Sequence, residues 1–259
     1  MRAYPFSIEK WYLDCVTDEG DLAIVYCADL AWRGMHLQLS SILAGTEGSV
    51  RASTSVSHFD VEAEDRQISV NLPKLGVAGT WQALCQPHER LVYECEEGAI
   101  RWSCLQGRSK VQVRIRDRVL TGLGYAERLS ITVPPWHLPL QRLRWGRFVS
   151  SDDALVWVDW QGSYNTAFAL RDGKETSLLS VSEAEVSTSC GTLQIDSGFS
   201  LRSGPLESTI LPDVPVLRKI LPRVLFRVQE HKSCGKGVLE AQDRRSSGWV
   251  IHEVVDWNV

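Results

Sequence analysis

No stretch of this 259-residue chain approaches the roughly 18–20 consecutive apolar residues that cross a bilayer. The opening Met1 to Lys10 lacks the apolar core of a secretory signal. The seven cysteines are odd in number, and none is spaced Cys-x-x-Cys. Such a set suits reduced thiols acting as small hydrophobes better than a disulfide framework. The expectation is a soluble, cytoplasmic protein. The six histidines show no metal-ligand spacing, so no metal is expected. There is no Gly-x-Ser-x-Gly elbow, no phosphate loop and no dinucleotide fingerprint, since Gly122-x-Gly124 lacks a third glycine and a following helix. A net charge of −4 argues against a general nucleic-acid or anionic-membrane binder.

Helical periodicity is also scarce. Short segments near Ser182 to Val186 and Val216 to Leu221 are the clearest helix candidates, the second stopped by Pro222. Period-two alternation takes its place. Strands are expected at Leu22–Cys27, Ile68–Leu72, Val111–Ile115, Ala154–Trp160, Tyr164–Leu170, Leu193–Asp196, Val224–Gln229 and Trp249–Val255. Turns are expected at Asp18–Gly20, Glu96–Gly98, Arg171–Gly173 and Ser246–Gly248. Many short strands punctuated in this way indicate an all-β sandwich or barrel.

Two passages look like copies. Val111 to Glu127 and Val224 to Glu240 superpose without a gap, placing Gly122 and Gly124 on Gly235 and Gly237, and Glu127 on Glu240. Further upstream, the Trp11-led strand with its acidic turn resembles the strand led by Trp145. A repeat of this length reads as one supersecondary unit used twice. Two β units are therefore expected, at residues 1–133 and 134–259. The junction is Pro134-Pro-Trp-His-Leu-Pro139, where three prolines cannot continue a ladder.

The opening Glu9-Lys-Trp-Tyr-Leu-Asp14, the segment Gly122-Leu-Gly-Tyr-Ala-Glu127 and the Trp-bearing strand Leu143-Arg-Trp-Gly-Arg147 resemble a known family. It is the two-domain lipocalin-like family of carotenoid 1,2-hydratase (hydroxyneurosporene synthase), with tocopherol cyclase more distant. The chain departs from the hydratases after Tyr125, where Ala126-Glu-Arg-Leu-Ser130 replaces a His-Asp-containing stretch. The resemblance implies two lipocalin-like β-barrels in tandem. It also implies a hydrophobic, isoprenoid-like or polyene small molecule, hydrated or cyclised without a cofactor, with peripheral membrane contact for substrate uptake. A non-catalytic carrier of such a ligand is the alternative.

That chemistry needs an acid that protonates a carbon–carbon double bond among aromatic faces able to stabilise the cation. Glu127, with Tyr125 on the same strand face, is one candidate; it is equally a structural acid if Glu240 truly repeats it. Asp159, which shares a strand face with Leu155 and Trp157, is another, unless it merely begins a turn. Trp11, Asp14, Trp136, Trp145, Arg147 and Trp157 are candidate substrate-binding residues. Arg142 and Arg144 flank Trp145 and either bind an anionic group or pair with surface acids.

Overall fold

The computed structural model describes residues 6–196, 198–209, 221–242 and 244–257. The chain divides into two compact units, Met1–Leu138 and Pro139–Val259. The division falls a few residues beyond the Pro134 expected from the proline cluster, because Pro135–His137 forms a 3-10 turn belonging to the first unit. Among the described residues no helix is long and apolar enough to cross a membrane.

The first unit contains β1 (Ser7–Val16), β2 (Leu22–Trp32), β3 (Met35–Thr46), β4 (Ser49–Val56) and β5 (Asp60–Glu64). It continues with β6 (Gln67–Leu72), β7 (Val77–Ala83), β8 (His88–Cys95), β9 (Gly98–Ile115) and β10 (Arg118–Ile131). All pair antiparallel in the order β4-β3-β2-β1-β10-β9-β7-β6-β5, with β8 also on β9. The second unit contains β11 (Leu140–Val149), β12 (Ala154–Gly162), β13 (Thr166–Arg171), β14 (Lys174–Thr176) and β15 (Leu178–Val181). It continues with β16 (Glu185–Thr188), β17 (Gly191–Ile195), β18 (Phe199–Pro205), β19 (Gln229–Glu240) and β20 (Arg245–Asp256). Its order is β14-β13-β12-β11-β20-β19-β17-β16-β15, with β18 on β19. Strand for strand, the wiring is the same.

Each ten-stranded sheet curls around its own core. Leu13 and Cys15 of β1, with Val25 and Cys27 of β2, share one apolar cluster with Val70 of β6, Trp81 of β7 and Val111 and Val113 of β9. A flat sheet could not bring β2 to β6, which lie far apart in the strand order. In the second unit Phe148, Leu155, Trp157, Val186, Leu193, Leu239 and Val250 do the same. The fold is all-β and lipocalin-like, and Trp81 and Trp157 fill the two interiors rather than lining empty space. None of the seven cysteines is disulfide-bonded; burial raises the Cys27 thiol to about 12, as suits a packed hydrophobe.

Several expectations need correction. Residues near Ser182 to Val186 are not helical: Ser182 Oγ accepts from the Glu185 amide at 2.9 Å to form a turn, and Val186 then enters β16 fully buried. The other helix candidate, apart from Leu221, lies outside the described residues. Val224 to Arg227 is a 3-10 helix, not a strand, and it buries the adjacent residues Leu225 and Phe226 together. Ser246 to Gly248 lies inside β20, and the reversal comes earlier, where the Ala241 amide bonds the Arg244 carbonyl.

The proposed copies are out of phase with the fold. Gly122, Gly124 and Glu127 lie on β10, whereas Gly235, Gly237 and Glu240 lie on β19, the counterpart of β9. The register supplies the true correspondence. Trp11 pairs with Cys27 and Arg128 on the core-facing side of the first sheet; Arg144 pairs with Asp159 and Val254 in the second. Trp11 therefore corresponds to Arg144, Tyr12 to Trp145, and Glu127, the partner of Tyr12, to Glu253, the partner of Trp145. Glycine is required at Gly124 because a Cβ there would lie 1.9 Å from the Asp14 carbonyl oxygen.

Candidate functional site

The register that matches Glu127 to Glu253 also brings out a buried, convergent group of side chains. Tyr125 and Glu127 project from the same face of β10, and neighbouring β9 presents Trp102 and Cys104 beside them. All four are buried, with Tyr125 and Cys104 at 0% exposure. One carboxylate oxygen, Glu127 Oε2, accepts both the Trp102 indole N–H at 2.6 Å and the Tyr125 hydroxyl at 2.7 Å. Both donors are neutral. Burial, then the nearby Cys104 and Glu127, push the Tyr125 phenol well above its usual value, so it remains a protonated donor at neutral pH. Burial, then Cys85 and Glu127, likewise raise the Cys104 thiol.

Aromatic rings extend from this acid. The Tyr12 ring lies 6.0 Å from Tyr125 and 5.3 Å from Tyr26, and His88 lies 6.5 Å from Trp102. Tyr26 is only half-buried and carries Lys10 Nζ 5.4 Å from its ring, so the cluster reaches the surface on that side.

The corresponding position in the second unit is built differently. Glu253 bonds Lys232 Nζ at 2.7 Å, and Lys232 is itself buried against the Trp145 ring, 5.6 Å from its centre. That carboxyl is neutralised by a cation. Glu240, offered by the ungapped alignment as the copy of Glu127, is exposed and pairs with Arg245 at 3.3 Å.

The other expected residues are dispersed. Trp11 packs partly buried against the first core, with the Arg128 guanidinium 5.6 Å from its ring. Asp14 is fully buried on β1, and its main-chain oxygen accepts the Trp81 indole N–H at 2.7 Å. Trp136 packs tilted against Trp32 and edge-on against Phe6, with ring centres 5.0 and 5.6 Å away. In the second unit Trp157 fills the core, and fully buried Arg147 donates to the Trp249 carbonyl at 2.8 Å. Asp159 accepts from Gln161 at 2.7 Å and lies 3.5 Å from Arg144, which gives it a structural ion pair. Sequence reasoning paired Tyr125 with Glu127 but missed Trp102, Cys104, Tyr12 and Tyr26. The alternation Ile100, Trp102, Cys104 was the available signal for the first two. Among the described residues no three His, Cys, Asp or Glu side chains gather as a metal site.

No protein-family model matches the chain, and no curated protein does. Solved structures do. A crystal structure of CghA with Sch210972 superposes with a TM-score of 0.64 at 10% identity, covering 97% of this chain and 89% of that one. Kievitone hydratase from Nectria haematococca gives 0.58 at 9% identity, covering 98% and 90%. A putative AttH from Nitrosomonas europaea gives 0.60 at 10% identity, covering 98% and 93%. The likeness is one of fold. It spans both units, and at such identity it transfers no residue role.

Proposed function

We propose that this protein is a cofactor-free acid catalyst that hydrates or cyclises a hydrophobic, isoprenoid-like or polyene small molecule, with Glu127 as the proton donor. The observation that carries this reading is the buried Glu127 carboxyl, whose Oε2 accepts the Trp102 indole N–H and the Tyr125 hydroxyl among aromatic rings. That one of the similar folds is a hydratase, and that another was solved with a small molecule, supports small-molecule chemistry on this scaffold.

The reaction starts from the protonated carboxyl. Its O–H bond breaks as the alkene π pair takes the proton, forming a C–H bond and a cation on the adjacent carbon. Trp102 and Tyr125 stabilise the carboxylate left behind through their bonds to Oε2. The faces of Tyr12, Tyr26 and Tyr125 favour a cation held beside them. Water then adds to the cation and returns a proton to Glu127. In a cyclisation, a second double bond closes on the cation and a neighbouring carbon returns the proton instead.

Mass spectrometry of lipophiles that co-purify with the protein would supply the substrate. Turnover of that compound in D2O should then place one solvent deuterium on carbon per product molecule, and Glu127→Gln should abolish it. Deuterium incorporation unchanged in Glu127→Gln removes Glu127 as the acid. A bound lipophile that is never labelled makes the protein a carrier.

A further inference from the structure

The core-facing side of the first sheet ends in a cavity of about 530 Å3. Its walls come from β1, β8, β9 and β10, and include Trp11, Trp102, Arg101, Arg128, Glu9 and Glu89. The volume falls in the range of sites for small organic ligands. Two features set its chemistry. The Trp11 indole presents a flat apolar wall, with the Arg128 guanidinium held 5.6 Å from its centre. Among the described residues neither Arg101 nor Arg128 forms an ion pair.

The second unit shows what this place looks like when its cations are neutralised. A smaller cavity of about 260 Å3 lies between β11, β18, β19 and β20, the counterparts of β1, β8, β9 and β10. There Arg142 bonds Asp256 at 2.6 Å, and Arg144, which corresponds to Trp11, lies 3.5 Å from Asp159. Its two arginines are answered by carboxylates of the same unit. In the first unit Glu89 instead accepts from Ser103 Oγ at 3.2 Å. The guanidiniums of Arg101 and Arg128 thus meet an indole wall in a cavity that Arg90 also lines and that is large enough for a ligand, and a planar anion is the chemistry that satisfies both.

We propose that the cavity between β1, β8, β9 and β10 is a binding site for a small planar aromatic molecule bearing one carboxylate, its ring on Trp11 and its anionic group on Arg101 and Arg128. This site does not depend on the role given to Glu127, since it requires no proton transfer. Its cavity lies on the core-facing side of the sheet, whereas Tyr125 and Glu127 project from the other. Trp102 is the one residue common to both places: it helps line the cavity, and its N–H bonds Glu127.

The test uses 1-pyrenebutyrate and its uncharged analogue 1-pyrenebutanol, followed by pyrene fluorescence against the full-length protein. Pyrenebutyrate should bind at least about tenfold more tightly than the alcohol, as expected for a charge-assisted contact. The Arg101→Gln/Arg128→Gln variant should erase that difference, while Arg142→Gln/Arg144→Gln should leave it intact. Equal affinity for acid and alcohol, absence of binding of either, or full preference retained in Arg101→Gln/Arg128→Gln would overturn the proposal. Both arginines are at least partly exposed, so the variant is expected to fold; an unchanged melting temperature checks this.

Discussion

Removing the Glu127 side chain and merely neutralising it should have very different consequences for stability. In Glu127→Ala the Trp102 N–H and the Tyr125 hydroxyl, which converge on one oxygen from 2.6 and 2.7 Å, lose this shared acceptor while remaining buried. A buried donor that loses its acceptor costs about 1–3 kcal/mol, so the pair costs up to about 2–6 kcal/mol before any cavity is counted. In Glu127→Gln the amide oxygen occupies the position of Oε2 and accepts both bonds, so the loss should stay under about 1.5 kcal/mol. With a urea slope of about 2 kcal/mol per molar, Glu127→Ala should lower the midpoint of the first unit by about 1–3 M. Tryptophan fluorescence reads that transition, because Trp102 belongs to the cluster. The cost of Glu127→Ala should also shrink in a Trp102→Phe/Tyr125→Phe background, where neither of these two donors remains to be stranded. If Glu127→Ala and Glu127→Gln unfold at the same midpoint, the convergent hydrogen bonding is not what holds this cluster together.

Two further outcomes follow from the second unit. Asp153 is fully buried; burial pushes its carboxyl up, but bonds from Ser246, Arg171 and Arg244 outweigh this and hold it below its usual value. Its stabilisation should therefore be complete above about pH 4, the unfolded value, and be lost as pH falls through the lower folded value. Asp153→Asn should flatten that acid limb in urea titrations, and at neutral pH it should cost about 3–5 kcal/mol by leaving Arg171 without its counter-charge. Gly146→Ala would place a methyl 2.2 Å from the Trp157 ring in a filled core, so it should cost about 1–3 kcal/mol, recovered in part by Trp157→Phe.

Much of the fold was legible because alternation reports strands directly. Ile68–Leu72 and Ala154–Trp160 lie within β6 and β12, and the turn at Arg171–Gly173 closes β13 onto β14. Where neighbouring apolar residues are buried together, as at Leu225 and Phe226, the same pattern misled, because a 3-10 turn hides adjacent side chains as well as a strand hides alternate ones. The two units share one strand order, but the ungapped alignment of the two passages does not follow it. Two alternating strands match at any even shift, so a Gly-x-Gly and an acid sufficed to lay β10 on β19. Only backbone pairing shows that Trp11 and Trp145 face opposite sides of their sheets. The pairing of Tyr125 with Glu127 was visible because both lie on one strand. Trp102 was not, since its nearness to Glu127 depends on the β9–β10 register across 25 residues of chain.

The closing strand of each sheet bears on how the protein is made. Ile8 pairs with Ile131, and Arg142 with Asp256, so β1 and β11 are each zipped to the last strand of their own unit. A ribosome emitting this chain exposes one edge of β1 until β10 emerges. The second unit stays open until β20 emerges, because β20 lies in the middle of its sheet, between β11 and β19. Loss of β20 would therefore not trim an edge of the sheet. It would remove the central stave and leave two unpaired edges facing each other.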